Sequence, residues 1–364
     1  MDLNTNSSNN TVYADDQGNI AYWHGNFIPK RNTQFNWNAP LDGSNPATKW
    51  KGLHSVNEMI HVYNPATGWI QNCNSTPFTV AGISSPDKSK YPNYMAPDEE
   101  NARGIHAIKV LEKENGFTLD KLIAAAYDSY LPGFEKLVPS FIKAYDELAP
   151  GNDTLRSKYE EPIQLVRNWD LRYSVSSVPT TLSIYWAFQL RQNTLSKIPA
   201  GLDQMRIIGW LQTETSSNEK VKALAEAVAE LQRDFGNWKQ PWGKVNRFQR
   251  LRGEINAGFD DEHPSLAVPF TSSFWGSLAA YGSRRYPNTK KMYGSVGNSF
   301  VAVVEFGKKL SAKAIMSGGQ NSDPNSPHFK DQATLYSQGQ FRDVLFYKED
   351  IMSHLERTYT PGKR

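Results

Sequence analysis

The chain has 364 residues, 39% hydrophobic and 12% aromatic, which is enough to bury a substantial core in one large or two ordinary domains. Its 40 basic and 37 acidic residues leave a formal charge of only +3, so no strong field is available to collect nucleic acid or anionic lipid. The one cysteine, Cys73, excludes an internal disulfide, and no stretch approaches the ~20 apolar residues of a membrane-spanning helix.

Met1 to Asn10 is polar and Asn-rich, without the basic and apolar run of a signal peptide. Thr11-Val12-Tyr13-Ala14 and Asn19-Ile20-Ala21-Tyr22-Trp23 flank Asp15-Asp16-Gln17-Gly18, the composition of a hairpin. Pro29 to Pro46 lacks periodicity and reads as a long surface loop. A second hairpin is expected from Met59-Ile60-His61-Val62-Tyr63 to Trp69-Ile70-Gln71-Asn72-Cys73-Asn74, turning through Asn64-Pro65-Ala66-Thr67-Gly68.

From Asp98 the pattern becomes helical, with Ala102, Ile105, Ile108 and Leu111 down one face. Thr118 is a candidate N-cap for Leu119 to Tyr127, and Pro132 a start for Gly133 to Leu148. Further helices are expected over Pro162 to Trp169, Leu182 to Gln192 and Ser217 to Phe235, the last with an apolar stripe that stops at Gly236. Ser299 to Phe306 and Ala312 to Met316 then read as strands. Strand-rich ends around a helical middle imply an α+β fold, with strand-rich 1–115, helical 116–240 and closing strands in 241–364.

GxSxG, P-loop, GxGxxG and HExxH motifs are all missing. His328 and Asp331 in Ser326-Pro327-His328-Phe329-Lys330-Asp331 suit turn-stabilising hydrogen bonds better than a triad, since spacing within one loop does not supply triad geometry. Asp260-Asp261-Glu262-His263 lacks calcium-loop spacing and reads as a solvated charged turn.

The segment Asn64-Pro65-Ala66-Thr67-Gly68-Trp69-Ile70-Gln71-Asn72-Cys73-Asn74-Ser75-Thr76-Pro77 resembles a landmark of the penicillin acylase family of N-terminal nucleophile hydrolases, an Asn-Pro turn leading to Asn-x-Asn and then Pro. Tyr13-Ala14-Asp15 with Gly18-Asn19-Ile20-Ala21-Tyr22, then Asn101-Ala102-Arg103, Trp169-Asp170, Ser317-Gly318-Gly319-Gln320, Ser326 to Gln332 and Gly339 resemble further landmarks in the family's order. The resemblance implies part of an αββα sandwich with an inserted helical region, and hydrolysis of linear N-acyl amides such as acylated β-lactams or acyl-homoserine lactones. In that family the nucleophile is the N-terminal serine of the mature large subunit, with its own α-amine as base.

By this resemblance Asn74 is the side-chain oxyanion donor and Arg103 its support. The plain alternatives are an Asn satisfying backbone groups at a tight strand end, and an ion pair of Arg103 with Asp98, Glu99 or Glu100. Family members often bind calcium and are often periplasmic; no calcium ligands are identified here, and no organic cofactor is expected. The chain begins Met1-Asp2-Leu3, without the serine. The expectation is therefore a C-terminal portion of the large subunit, whose partners are an N-acylated small molecule and the remaining N-terminal half or small subunit. Two other readings stay open: a catalytically dead binding module of the same fold, and a hydrolase pairing an internal serine with His24 or His328.

Overall fold

The first hairpin forms around an acidic turn. Asp15 accepts hydrogen bonds from the backbone N–H of Gln17 and Asn19, which closes the link between β1 (Thr11–Ala14) and β2 (Ile20–Trp23). The computed structural model describes residues 9–25, 27–255 and 257–362; the start Met1-Asp2-Leu3 lies outside the described residues. β3 (His61–Tyr63) pairs with β2 to complete a small antiparallel sheet.

The expected second hairpin does not form. Asn64 adopts a left-handed φ of 45°, Gly68 one of 74°, and the Gly68 N–H bonds to Pro65 O at 2.9 Å, so the turn is present. Beyond it, Gln71 N–H bonds to Val80 O at 2.8 Å, and residues 72–74 pair with no strand among the described residues. The carbonyls of Cys73 and Asn74 receive side-chain donors instead, and these compete successfully with a sheet ladder.

Helices follow: α1 (Ala102–Leu111), α2 (Leu119–Ala126), α3 (Leu137–Leu148), α4 (Asp153–Arg167), α5 (Val178–Thr194), α6 (Gln204–Thr213), α7 (Ser217–Phe235) and the short α8 (Trp242–Val245). The last part holds β4 (Asn246–Phe248), β5 (Leu266–Ala267), β6 (Tyr281–Arg284), β7 (Met292–Gly297), β8 (Phe300–Glu305), β9 (Ser311–Met316), α9 (Ala333–Gln338), β10 (Arg342–Asp343) and α10 (Lys348–Met352). Its strands form two sheets, ordered β5-β4-β7-β6 and β10-β9-β8. The fold is α+β, as its sequence implied.

Caps explain the sharpest boundaries. Thr118 accepts from Lys121 N–H at the start of α2. α7 opens on a reciprocal capping box between Ser216 and Glu219 and ends at Gly236, whose φ of 76° only glycine takes without cost. α4 departs from expectation: it begins at Asp153 under an Asn152 cap, so Pro162 lies inside the helix rather than opening it. Burial of Pro162, Ile163 and Val166 against the core offsets the lost backbone hydrogen bond. α6, capped by Asp203, was not among the expected helices.

One large core runs from Leu131 to Tyr336 and joins the helices to the closing strands. α5 is buried nearly all round, including Thr180, Thr181 and Ser183, and Trp186 stacks on Phe141 with ring centroids 4.1 Å apart. Among the described residues β8 pairs only with β9, and Phe300 and Val304 are exposed. No helix among the described residues is long and apolar enough to cross a membrane.

Candidate active site

α1 starts where Asn101 accepts from Gly104 N–H at 2.9 Å, and the same side chain turns its Nδ2 outward to donate to Cys73 O at 3.0 Å and Asn74 O at 3.1 Å. One residue therefore caps the helix and grips the preceding turn. Glu100 adds a second tie: Oε2 accepts from Thr79 Oγ1 at 2.5 Å and Oε1 from the Asn101 N–H at 2.8 Å. Thr76 N–H donates to Glu99 O at 3.2 Å. Residues 73–79 are thus fastened to the first turn of α1 at several points.

This contact needs the helix backbone to come close. A methyl group on Gly104 would fall 2.8 Å from Ser75 Oγ and 3.0 Å from Ser75 Cβ, so glycine is required there. The packed face of α1 consequently carries Ala102, Gly104, His106 and Ala107; of the anticipated Ala102–Ile105–Ile108–Leu111 stripe only Ala102 is fully buried, and the other three are half-buried. His106 fixes this face by bonding Gly276 O at 2.8 Å and Asp128 Oδ1 at 3.0 Å.

Asn74 has a φ of 54°, a left-handed conformation that Asn tolerates better than most side chains. Its carboxamide is exposed, and Oδ1 accepts from Arg103 Nη2 at 2.7 Å. A guanidinium can only donate, so the amide oxygen must face Arg103 and the Nδ2 hydrogens face away. Among the described residues Nδ2 has no acceptor. Arg103 also donates to Cys73 O at 3.0 Å and forms no ion pair among the described residues. Nearby acids are engaged elsewhere, Glu99 with Arg206 at 3.4 Å and Asp98 beside His24 at 3.8 Å.

Sequence reasoning singled out Asn74 and Arg103, which the structure brings together; it missed the grip exerted by Asn101 and Glu100. An Asn immediately before a helix start was the available signal. Burial pushes the Cys73 thiol pKa up, against the pull of Arg103, which disfavours the thiolate.

The histidines of the internal-serine reading have other partners. His24 Nδ1 pairs with Tyr22 OH at 3.0 Å, and burial lowers its pKa despite Asp98. His328 makes a 2.9 Å turn contact with Asp331. Neither ring bonds a serine hydroxyl among the described residues. At the acidic turn, Asp260 accepts from Glu262 N–H and pairs with His263, while Asp261 takes Lys290 N–H and Tyr293 OH. Among the described residues no group of three His, Cys, Asp or Glu side chains is arranged to hold a metal ion.

The fold is that of an N-terminal nucleophile hydrolase. It matches a thermostable penicillin G acylase from Alcaligenes faecalis with a TM-score of 0.60 at 18% identity, covering 98% of this chain and 68% of that one. Penicillin G acylase from Escherichia coli is 38% identical over 68 residues, a stretch that spans 19% of this chain and only 8% of that protein. The penicillin amidase family model matches residues 1–353, and the chain belongs to the penicillin amidase family, a family of amide hydrolases.

Proposed function

We propose that this chain supplies the side-chain oxyanion donor for hydrolysis of linear N-acyl amides, with the attacking serine drawn from polypeptide outside these 364 residues. One observation carries the reading: Asn74 is pinned by its amide oxygen to a guanidinium, which leaves an exposed, fixed N–H donor. The Arg103 cation draws electron density from the amide nitrogen and strengthens that donor.

In the reaction, the serine's own α-amine, with a reference pKa of roughly 7.7–8.0, accepts the hydroxyl proton near neutrality. The hydroxyl oxygen attacks the acyl carbonyl, whose oxygen becomes negative and receives the Asn74 Nδ2–H. Collapse expels the amine with the transferred proton, and water then releases the carboxylic acid. Acylated β-lactams and acyl-homoserine lactones both belong to this substrate class. Family membership supports a periplasmic setting and assembly with the remaining half or small subunit.

Asn74→Gly is the cleanest test, because glycine keeps the left-handed backbone while removing the carboxamide. In the chain assembled with its upstream segment, kcat for amide cleavage is expected to fall about 10²–10³-fold, the usual cost of one oxyanion donor. Unchanged turnover would refute the role. Expressing the chain with and without that segment tests the outside serine: cleavage by the chain alone, abolished by changing an internal serine, would refute it.

A further inference from the structure

A trough lined by none of residues 73–79 opens between α5 and the sheet that carries β6 and β7. Two cavities of about 360 and 240 Å³ share Ile184, Phe188 and Met292 as apolar walls, a size typical of small-ligand sites. Tyr185 lines the larger one; it is 5% exposed, and its hydroxyl has no hydrogen-bond partner. Burial raises the phenol pKa, so it remains a donor.

The charges around the trough are unbalanced. Glu230 and Asp234 are both answered by Arg285, with Gln189 also donating to Glu230 and Arg233 to Asp234. Arg284 lies 4.8 Å over the Tyr286 ring and Arg191 5.1 Å over the Phe274 ring, and neither has an acidic partner among the described residues. Four guanidiniums thus stand against two carboxylates beside an apolar floor.

We propose that the trough binds a small amphipathic carboxylate. Its charged end sits at Arg284, in the cavity that Tyr185 also lines, and its aliphatic or aryl body lies along Ile184, Phe188 and Met292 toward Trp242 and Trp275. A purely apolar guest would leave both unpaired guanidiniums unanswered, and a cationic one would add to the surplus. The inference stands on the trough's own geometry and survives failure of the Asn74 assignment. If that assignment holds, the guest has the same chemistry as the acid released by amide cleavage.

The test is titration of the full chain with octanoate, octanol and octylammonium, read by calorimetry and by tryptophan fluorescence. Saturable octanoate binding, at least tenfold tighter than either of the others, is the expected result. Arg284→Gln, an exposed position, should weaken octanoate about tenfold and leave octanol unchanged, and Tyr185→Phe should weaken octanoate about threefold. The proposal is overturned if octanol or octylammonium binds as tightly as octanoate, or if Arg284→Gln has no effect. Absence of saturable octanoate binding also overturns it, including the case in which sedimentation shows a second copy closing the trough.

Discussion

The helical core and the turn at Asn74 are held together by different forces. Between α5 and α7 the stabilising term is burial: Leu182, Trp186, Leu224 and Leu231 are fully enclosed, and each such side chain contributes about 1.5–3 kcal/mol. Between residues 73–79 and the start of α1 the ties are hydrogen bonds donated by Asn101 and Arg103 to the turn and by Thr79 to the Glu100 carboxylate, each worth about 0.5–1.5 kcal/mol, or 1.5–3 where a charge takes part. Burial is non-directional and tolerates small shifts. Hydrogen bonds fix orientation, and orientation is what an oxyanion donor requires.

The contrast breaks down if changes in the two regions have the same consequences. Leu224→Ala in α7 should have the largest effect, lowering unfolding free energy by about 2–5 kcal/mol while kcat per folded molecule stays constant; denaturant titration with active-site counting measures both. Arg103→Lys should do the reverse. A point charge cannot reproduce the planar donor set that holds Cys73 O and Asn74 Oδ1 together, so kcat should fall about tenfold with little change in stability.

Asn101→Ala tests the joint directly, since that side chain both caps α1 and grips the turn. A stability loss of about 0.5–2 kcal/mol with a several-fold fall in kcat is expected. A purely structural cap would lower stability alone, leaving kcat per folded molecule and its pH profile untouched.

The smallest effect is pH-dependent. Glu219, in the α7 capping box and paired with Lys197, has its carboxyl pKa lowered from the ordinary 4.5 to about 2, chiefly by the hydrogen bond from Lys197. A depressed carboxylate contributes stability above its unfolded pKa and loses it as pH falls toward the folded value, so the window is about pH 4.5 down to 2. Glu219→Gln should flatten that acid limb in thermal melts, and an unchanged limb would remove the pair from the account.

Legibility in the sequence followed the same division. α7 was readable from end to end because its apolar stripe and terminal glycine are local signals. The pairing of Asn74 with Arg103 was legible through the family resemblance. Its supports were not, because Asn101 and Glu100 act across a turn whose course depends on tertiary contacts. The strand expected at Trp69–Asn74 failed for the same reason: donors from α1 displaced a ladder that composition alone favoured.

The most direct measurement compares a boronic acid analogue of the tetrahedral intermediate with an amide substrate, in the assembled enzyme and its Asn74→Gly variant. A carboxamide that meets negative charge only as it develops should lose about 10²–10³-fold in analogue affinity, with KM for the amide changed only a few-fold. Equal analogue affinity in both proteins would contradict the account.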